Sequence, residues 1–96
     1  MDLGLTGKKA LVTGSTKGIG RAIVETLLAE GAAVAICARD GQGVDVAVEE
    51  LSSLGTVWGS SVDAGDLSSL EAWIAESAET LGGIDIYVHN TSAKPQ

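Results

Sequence analysis

Lys9-Ala10-Leu11-Val12-Thr13-Gly14-Ser15-Thr16-Lys17-Gly18-Ile19-Gly20 is the stretch that decides how this chain folds. Lys9 to Thr13 is a short, mainly apolar run of strand length, too short for a helix. From Gly18 to Glu30 the apolar positions Ile19, Ala22, Ile23 and Leu27 recur at helical spacing, and Gly31 follows as a C-terminal cap. A strand, a glycine-rich turn and a helix thus stand in the order that a phosphate-binding turn requires. Glycines let the backbone turn sharply and approach a ligand, while free N–H groups and the helix dipole favour an anion at the helix start. A P-loop is excluded: counted from Gly14, Ile19 falls where that motif needs its second glycine. Glycines at 14, 18 and 20 do not meet the Gly-x-Gly-x-x-Gly pattern either. The alternative is a turn that is purely structural.

Working outward, Ala33-Val34-Ala35-Ile36-Cys37-Ala38 is a continuous apolar run, the signature of a strand covered on both faces in a parallel sheet. After the polar stretch Arg39 to Gly43, the positions Val44, Ala47, Val48, Leu51 and Leu54 predict a second amphipathic helix that stops at Gly55. Thr56 to Val62 alternates as a third strand, with Gly59 counting against it. Ser68-Ser69-Leu70-Glu71 has capping-box form, and Asp66 reads as a helix-start residue. Leu70, Trp73, Ile74, Ser77, Ala78 and Leu81 then make one helical face up to Gly82-Gly83. Ile84 to Val88 reads as a fourth strand, and His89 to Gln96 is polar and holds the only proline. The order β-α-β-α-β-α-β implies an α/β fold, a doubly wound parallel sheet with helices on both faces. Ligands of such sheets bind outside the carboxyl ends of the strands, which directs attention to residues 13–20, 38–43, 62–66 and 89–96.

Composition narrows the partners. The 96 residues, 45% apolar and 20% charged, with 13 glycines, describe one small domain over 1–96. No apolar run approaches the roughly 20 residues that span a bilayer, and no signal peptide is visible, so a soluble, cytoplasmic protein is expected. The single Cys37 cannot form an internal disulfide, and one Cys with one histidine, His89, cannot supply a zinc site, so no metal is expected. Net charge is -7, yet five of the six bases (Lys8, Lys9, Lys17, Arg21 and Arg39) lie in residues 1–39 with only three of the 13 acids. Three aromatic residues and no basic stripe exclude nucleic acid and an anionic membrane as partners. The bases sit where an anionic ligand would. Cys37, Trp58 and Trp73 read as core.

Thr13-Gly14-x-x-x-Gly18-Ile19-Gly20 resembles the cofactor fingerprint of the short-chain dehydrogenase/reductase family. Val62-Asp63 resembles that family's Asp after strand three, and Ile84-Asp85-Ile86-Tyr87-Val88-His89-Asn90 resembles the segment leading into its Asn-Asn-Ala-Gly motif. The resemblance covers essentially the whole chain and implies a Rossmann-type sheet that binds a nicotinamide dinucleotide. It implies that Gly14, Gly18, Ile19 and Gly20 line the pyrophosphate and reach toward the nicotinamide, with Ser15, Thr16 and Lys17 toward the adenosine ribose. It further implies that Asp63 and the backbone of Ala64 hold the adenine edge; on the residues alone, a turn or cap role for Asp63 stays open. Of Asn-Asn-Ala-Gly only Asn90 is matched, because His89-Asn90-Thr91-Ser92 stands there. His89 has no evident carboxylate partner, which favours a structural histidine over an acid/base.

The end of strand two selects the dinucleotide. An acid there accepts from a free ribose 2′-hydroxyl, whereas a base pairs with a 2′-phosphate. Here Ala38-Arg39 stands there, and Lys17 adds a second charge, so NADP (NADPH) is expected rather than NAD. The alternative is that both are solvated surface charges, with Asp40 partly neutralising Arg39.

Catalysis in the family rests on a Tyr-x-x-x-Lys pair with a nearby Ser. The only tyrosine here is Tyr87, and four positions on stands Thr91, so these residues contain no such pair. The expectation is the cofactor-binding half of an NADP-dependent oxidoreductase acting on a small-molecule ketone or secondary alcohol, inactive by itself, with its catalytic residues beyond Gln96. A non-catalytic dinucleotide-binding module or sensor, and an interaction piece that binds nothing, are the alternatives. Strand four, with no neighbour on its far side, predicts association with another chain or a homo-oligomer.

Overall fold

The computed structural model describes residues 4–14, 18–63 and 65–90. Strand β1 (Lys9–Thr13) leads to helix α1 (Gly18–Ala29), then β2 (Ala33–Ala38), α2 (Gly41–Leu51), β3 (Val57–Ser61), α3 (Leu67–Leu81) and β4 (Ile86–Val88). All four strands are parallel, in the order β3-β2-β1-β4, so the expected doubly wound sheet is present.

Side chains alternate across a strand, and both faces here are covered. Ala10, Val12, Val34 and Ile36 pack beneath α1 and α2 with Val24, Leu28, Val44 and Leu51. Leu11, Ala35 and Cys37 face the other way, against Leu70 and Trp73 of α3. This two-sided burial is why β1 and β2 read as unbroken apolar runs. Trp58 packs at the edge of the α3 side. Arg21 of α1 pairs with Glu50 of α2 at 2.8 Å and with Glu25 at 3.4 Å, tying the two helices together at the surface. Among the described residues no helix is long and apolar enough to cross a membrane.

Local chemistry shifts several boundaries from the sequence reading. Helix α2 starts at Gly41 rather than Val44, because the Asp40 carboxylate accepts from the Gln42 N–H at 3.1 Å and caps the helix. It ends at Leu51, so Leu54 lies beyond it, exposed. For α3 the cap is Asp66, whose carboxylate accepts from Ser68 N at 3.1 Å and from Ser69 Oγ at 3.0 Å; the capping box at Ser68–Glu71 is therefore not the one formed. Strand β4 begins at Ile86 instead of Ile84, since the Asp85 carboxylate, in place of a main-chain carbonyl, takes the Lys9 N–H at 2.9 Å. Gly59 belongs in β3: a Cβ there would stand 2.7 Å from Val44 Cγ1 and Val48 Cγ2, so the missing side chain lets α2 lie close on the sheet. Gly31 (φ 92°) closes α1 as expected, with Gly31 N bonded to Leu28 O and Ala32 N to Leu27 O, each at 3.0 Å.

Candidate functional site

Because the strands are parallel, their carboxyl ends open on one side of the sheet. Chain order reverses between β1 and β4, where β1 continues outward through β2 and β3 on one flank while β4 lies on the other. A crevice forms at such a reversal. Thr13-Gly14 and His89-Asn90 meet there.

Thr13 is fully buried, and its hydroxyl accepts from Asn90 N at 2.8 Å while donating to Asn90 O at 3.3 Å. Asn90 Nδ2 in turn donates to Gly14 O at 3.0 Å. The turn after β1 is thus fastened to the residue after β4 by three hydrogen bonds. Gly14 (φ 59°) packs so closely that a Cβ would strike the Asn90 carbonyl, and a Cβ on Gly20 would strike the Gly14 carbonyl and come within 2.7 Å of Asn90 Nδ2. Gly18 differs. It also has positive φ (66°), but beyond its chain neighbours and its own helix no atom of a described residue lies within 4 Å of where its Cβ would be. Two glycines permit interlocking, and the third leaves backbone open at the first turn of α1. Ile19 beside it is 75% exposed, unusual for a large apolar side chain. Ser15, Thr16, Lys17 and Ala64, expected in the site from the sequence, lie outside the described residues.

On the β2–β3 side the chemistry is polar and open. The Arg39 side chain is 74% exposed, with Nε 4.0 Å from Asp63 Oδ1. Asp63 Oδ1 also accepts from Gly65 N at 2.9 Å, and Asp63 O accepts from Asp66 N at 2.9 Å, so the turn role left open for Asp63 is one it performs. The neighbour expected to neutralise Arg39 was Asp40; its carboxylate caps α2, and Asp63 is the acid paired with Arg39.

Cys37 is buried behind this end of the sheet. Burial pushes its thiol up to about 11, partly offset by a hydrogen bond with the Gly14 backbone, so it is a neutral thiol near pH 7. His89 has a phenol for a partner: Tyr87 Oη and His89 Nδ1 are 2.9 Å apart, with the ring planes inclined at 36°. Partial burial raises the Tyr87 hydroxyl above its ordinary value, the thiol of Cys37 adding to it. Sequence reasoning placed Gly14, Gly18, Ile19, Gly20 and Asn90 at one end of the sheet, where they are found together. It missed Thr13. The signal available was a hydroxyl ending the apolar run Ala10-Leu11-Val12, which once buried must find a polar partner.

With this geometry in view, the relationships of the chain are informative. A profile of the short chain dehydrogenase family matches residues 8–96. The chain is 46% identical over 90 residues to the uncharacterized oxidoreductase YvrD of Bacillus subtilis, covering 94% of this chain and 34% of that protein. It is 41% identical over 92 residues to human dehydrogenase/reductase SDR family member 4, covering 95% of this chain and 33% of that protein. The chain therefore spans about a third of the length of the curated relatives it matches. Among solved structures, L-sorbose reductase from Gluconobacter frateurii, complexed with NADPH and L-sorbose, superposes with a TM-score of 0.91 at 34% identity, covering 97% of this chain and 36% of that one. The F189W actinorhodin polyketide ketoreductase with NADPH gives 0.85 at 34% identity, covering 97% and 36%. Similarity at this level in both sequence and backbone, along almost all of its length, makes the chain a member of the short chain dehydrogenase family.

Proposed function

We propose that this chain supplies the cofactor-binding part of an NADP(H)-dependent oxidoreductase that interconverts a ketone and a secondary alcohol. The observation that carries the reading is the pair of locked glycines, Gly14 and Gly20, sealed against Asn90, beside Gly18, which at the start of α1 has none of the described residues packed on it. Such a cradle fits a pyrophosphate: glycines, which carry no side chain, bring backbone N–H groups to the positive helix end. When bound, a nicotinamide dinucleotide supplies or accepts the hydride. The chain's own contribution is binding and orientation. Gly14, Gly18, Ile19 and Gly20, with Ser15, Thr16 and Lys17, hold the phosphates and ribose, Asp63 and Ala64 the adenine, and Asn90 fixes the turn through its bond to Gly14.

Arg39 supports NADP over NAD. Its guanidinium is exposed at the end of β2, and among the described residues its one ion pair is a long one to Asp63, so its N–H donors are presented largely to solvent where a ribose substituent would lie. The two similar structures above that carry NADPH agree with that preference. The proton donor to the carbonyl, a Tyr-x-x-x-Lys pair in the family, is absent from residues 1–96, so these residues alone are expected to bind without turning over. The lone cysteine of the sequence, Cys37, is buried and in no disulfide among the described residues, which supports a reducing, cytoplasmic setting.

Calorimetric titration with NADPH and NADH, beside an Arg39→Asp variant, tests the reading. NADPH is expected to bind more tightly, with a steeper salt dependence than NADH, and to lose about tenfold or more in the variant. A folded protein that binds neither nucleotide overturns it.

A further inference from the structure

The ladder between β2 and β3 does not stop at the last paired residue. Val62 N donates to Ala38 O at 2.9 Å, which completes the main-chain pairing of the two strands. One residue later the carbonyl of Arg39 has left the ladder, and the Ser61 hydroxyl reaches it, donating to Arg39 O at 2.9 Å. Beyond Arg39 the chain turns at Asp40, the cap of α2, and Gly41 passes directly over Ser61: a Cβ on Gly41 would lie 3.4 Å from Ser61 Cβ. The peptide that follows Arg39 is therefore pinned on the β3 side by one side-chain hydroxyl. Two residues past Ser61, Asp63 lies 4.0 Å from Arg39 Nε.

We infer that Ser61 is a positioning residue for Arg39 and a determinant of selectivity for a phosphate on the ribose 2′-oxygen. The inference rests on the cofactor reading above. An exposed guanidinium with one weak partner is aimed mainly by its own backbone, because a long ion pair in water does little to hold a side chain. Rotation of the Arg39–Asp40 peptide would swing the Cα–Cβ bond and carry the guanidinium away, and the Ser61 bond opposes that rotation. Asp63 at Nε leaves the Nη1 and Nη2 end of the guanidinium for a phosphate, the end suited to paired acceptance by its oxygens. Because Ser61 is itself exposed and its bond involves only this turn, removing the hydroxyl leaves the core and the glycine cradle untouched.

The test uses 2′,5′-ADP and 5′-AMP as probes, titrated calorimetrically into the protein carrying this chain and into its Ser61→Ala, Ser61→Thr and Arg39→Ala variants, with circular dichroism to verify folding. Ser61→Ala is expected to weaken 2′,5′-ADP by about three- to tenfold, the range of one hydrogen bond, with 5′-AMP unchanged. Ser61→Thr keeps the hydroxyl on a strand-compatible side chain and is expected to restore the preference. Equal weakening of both probes in Ser61→Ala would make the residue merely structural and overturn the inference. If Arg39→Ala abolishes the preference while Ser61→Ala keeps it, the inference falls and the cofactor reading stands. If Arg39→Ala keeps the full preference, the inference falls together with the role given to Arg39, while NADP(H) dependence stands; if the parent protein shows no preference, both fall.

Discussion

The two halves of the sheet's carboxyl end are built on opposite principles. Between β1 and β4, the Thr13 hydroxyl and the Asn90 amide bond main-chain atoms, and Gly14 and Gly20 are packed there with no room for a methyl group. Between β2 and β3, a flexible, exposed guanidinium faces a carboxylate across 4.0 Å. Short contacts in a buried place are stiff and expensive to disturb, whereas a long ion pair in water contributes little to stability. Under the function proposed, the stiff half serves what every dinucleotide shares, its pyrophosphate, and the loose half reads the one group that distinguishes them. A site divided this way can change cofactor preference without risking the fold.

Disturbing each half in turn tests that division. Gly20→Ala is the severest change, since its methyl must displace the Gly14 carbonyl and Asn90; a loss of about 3 kcal/mol or more is expected, measured by urea unfolding. A loss under about 1 kcal/mol would show that the interlock yields. A smaller effect comes from pH. The Cys37 thiol, bonded to the Gly14 backbone, ionises near 9.0 in an unfolded chain and near 11 when folded, so between those values the unfolded state releases the proton first. Stability conferred by the neutral thiol is thus complete below pH 9 and declines toward pH 11, by on the order of 2 kcal/mol. Unfolding curves across that range should be steeper in pH for the parent than for Cys37→Ala, and identical slopes would remove the thiol from the stiff half. Arg39→Ala is expected to change unfolding free energy least, by under about 0.5 kcal/mol. A larger loss would mean that the β2–β3 half is structural as well.

Legibility in the sequence follows the range of the physics involved. The element order was readable because apolar runs and helical spacing are local, and two-sided burial of β1 and β2 writes itself as runs without polar breaks. Glycines 14, 18 and 20 were recognisable together, but not the difference among them, because their neighbours come from elsewhere: Asn90 crosses 76 residues to reach Gly14. Gly59 was misjudged for the same reason, its purpose being set by Val44 and Val48 on a different element. The start of α2 was placed late because apolar periodicity begins at Val44, while the helix is begun by a polar cap, Asp40, ahead of any buried face. Asp40 and Asp63 were distinguishable only in space. Sequence proximity favoured Asp40 as the partner of Arg39, yet capping takes its carboxylate, and the strand register brings Asp63 alongside.

The bonds from Thr13 to Asn90 join residues 77 positions apart. Contacts so distant in sequence are closed late in folding, because the entropy of a large loop must be overcome before they return any enthalpy. The β1–α1–β2 unit is held by contacts between neighbouring elements, whereas the bonds that fasten Thr13 and Gly14 need the residue after β4 as well. A chain that has emerged only as far as α3 carries the whole glycine fingerprint but not Asn90, the residue that fastens Thr13 and Gly14.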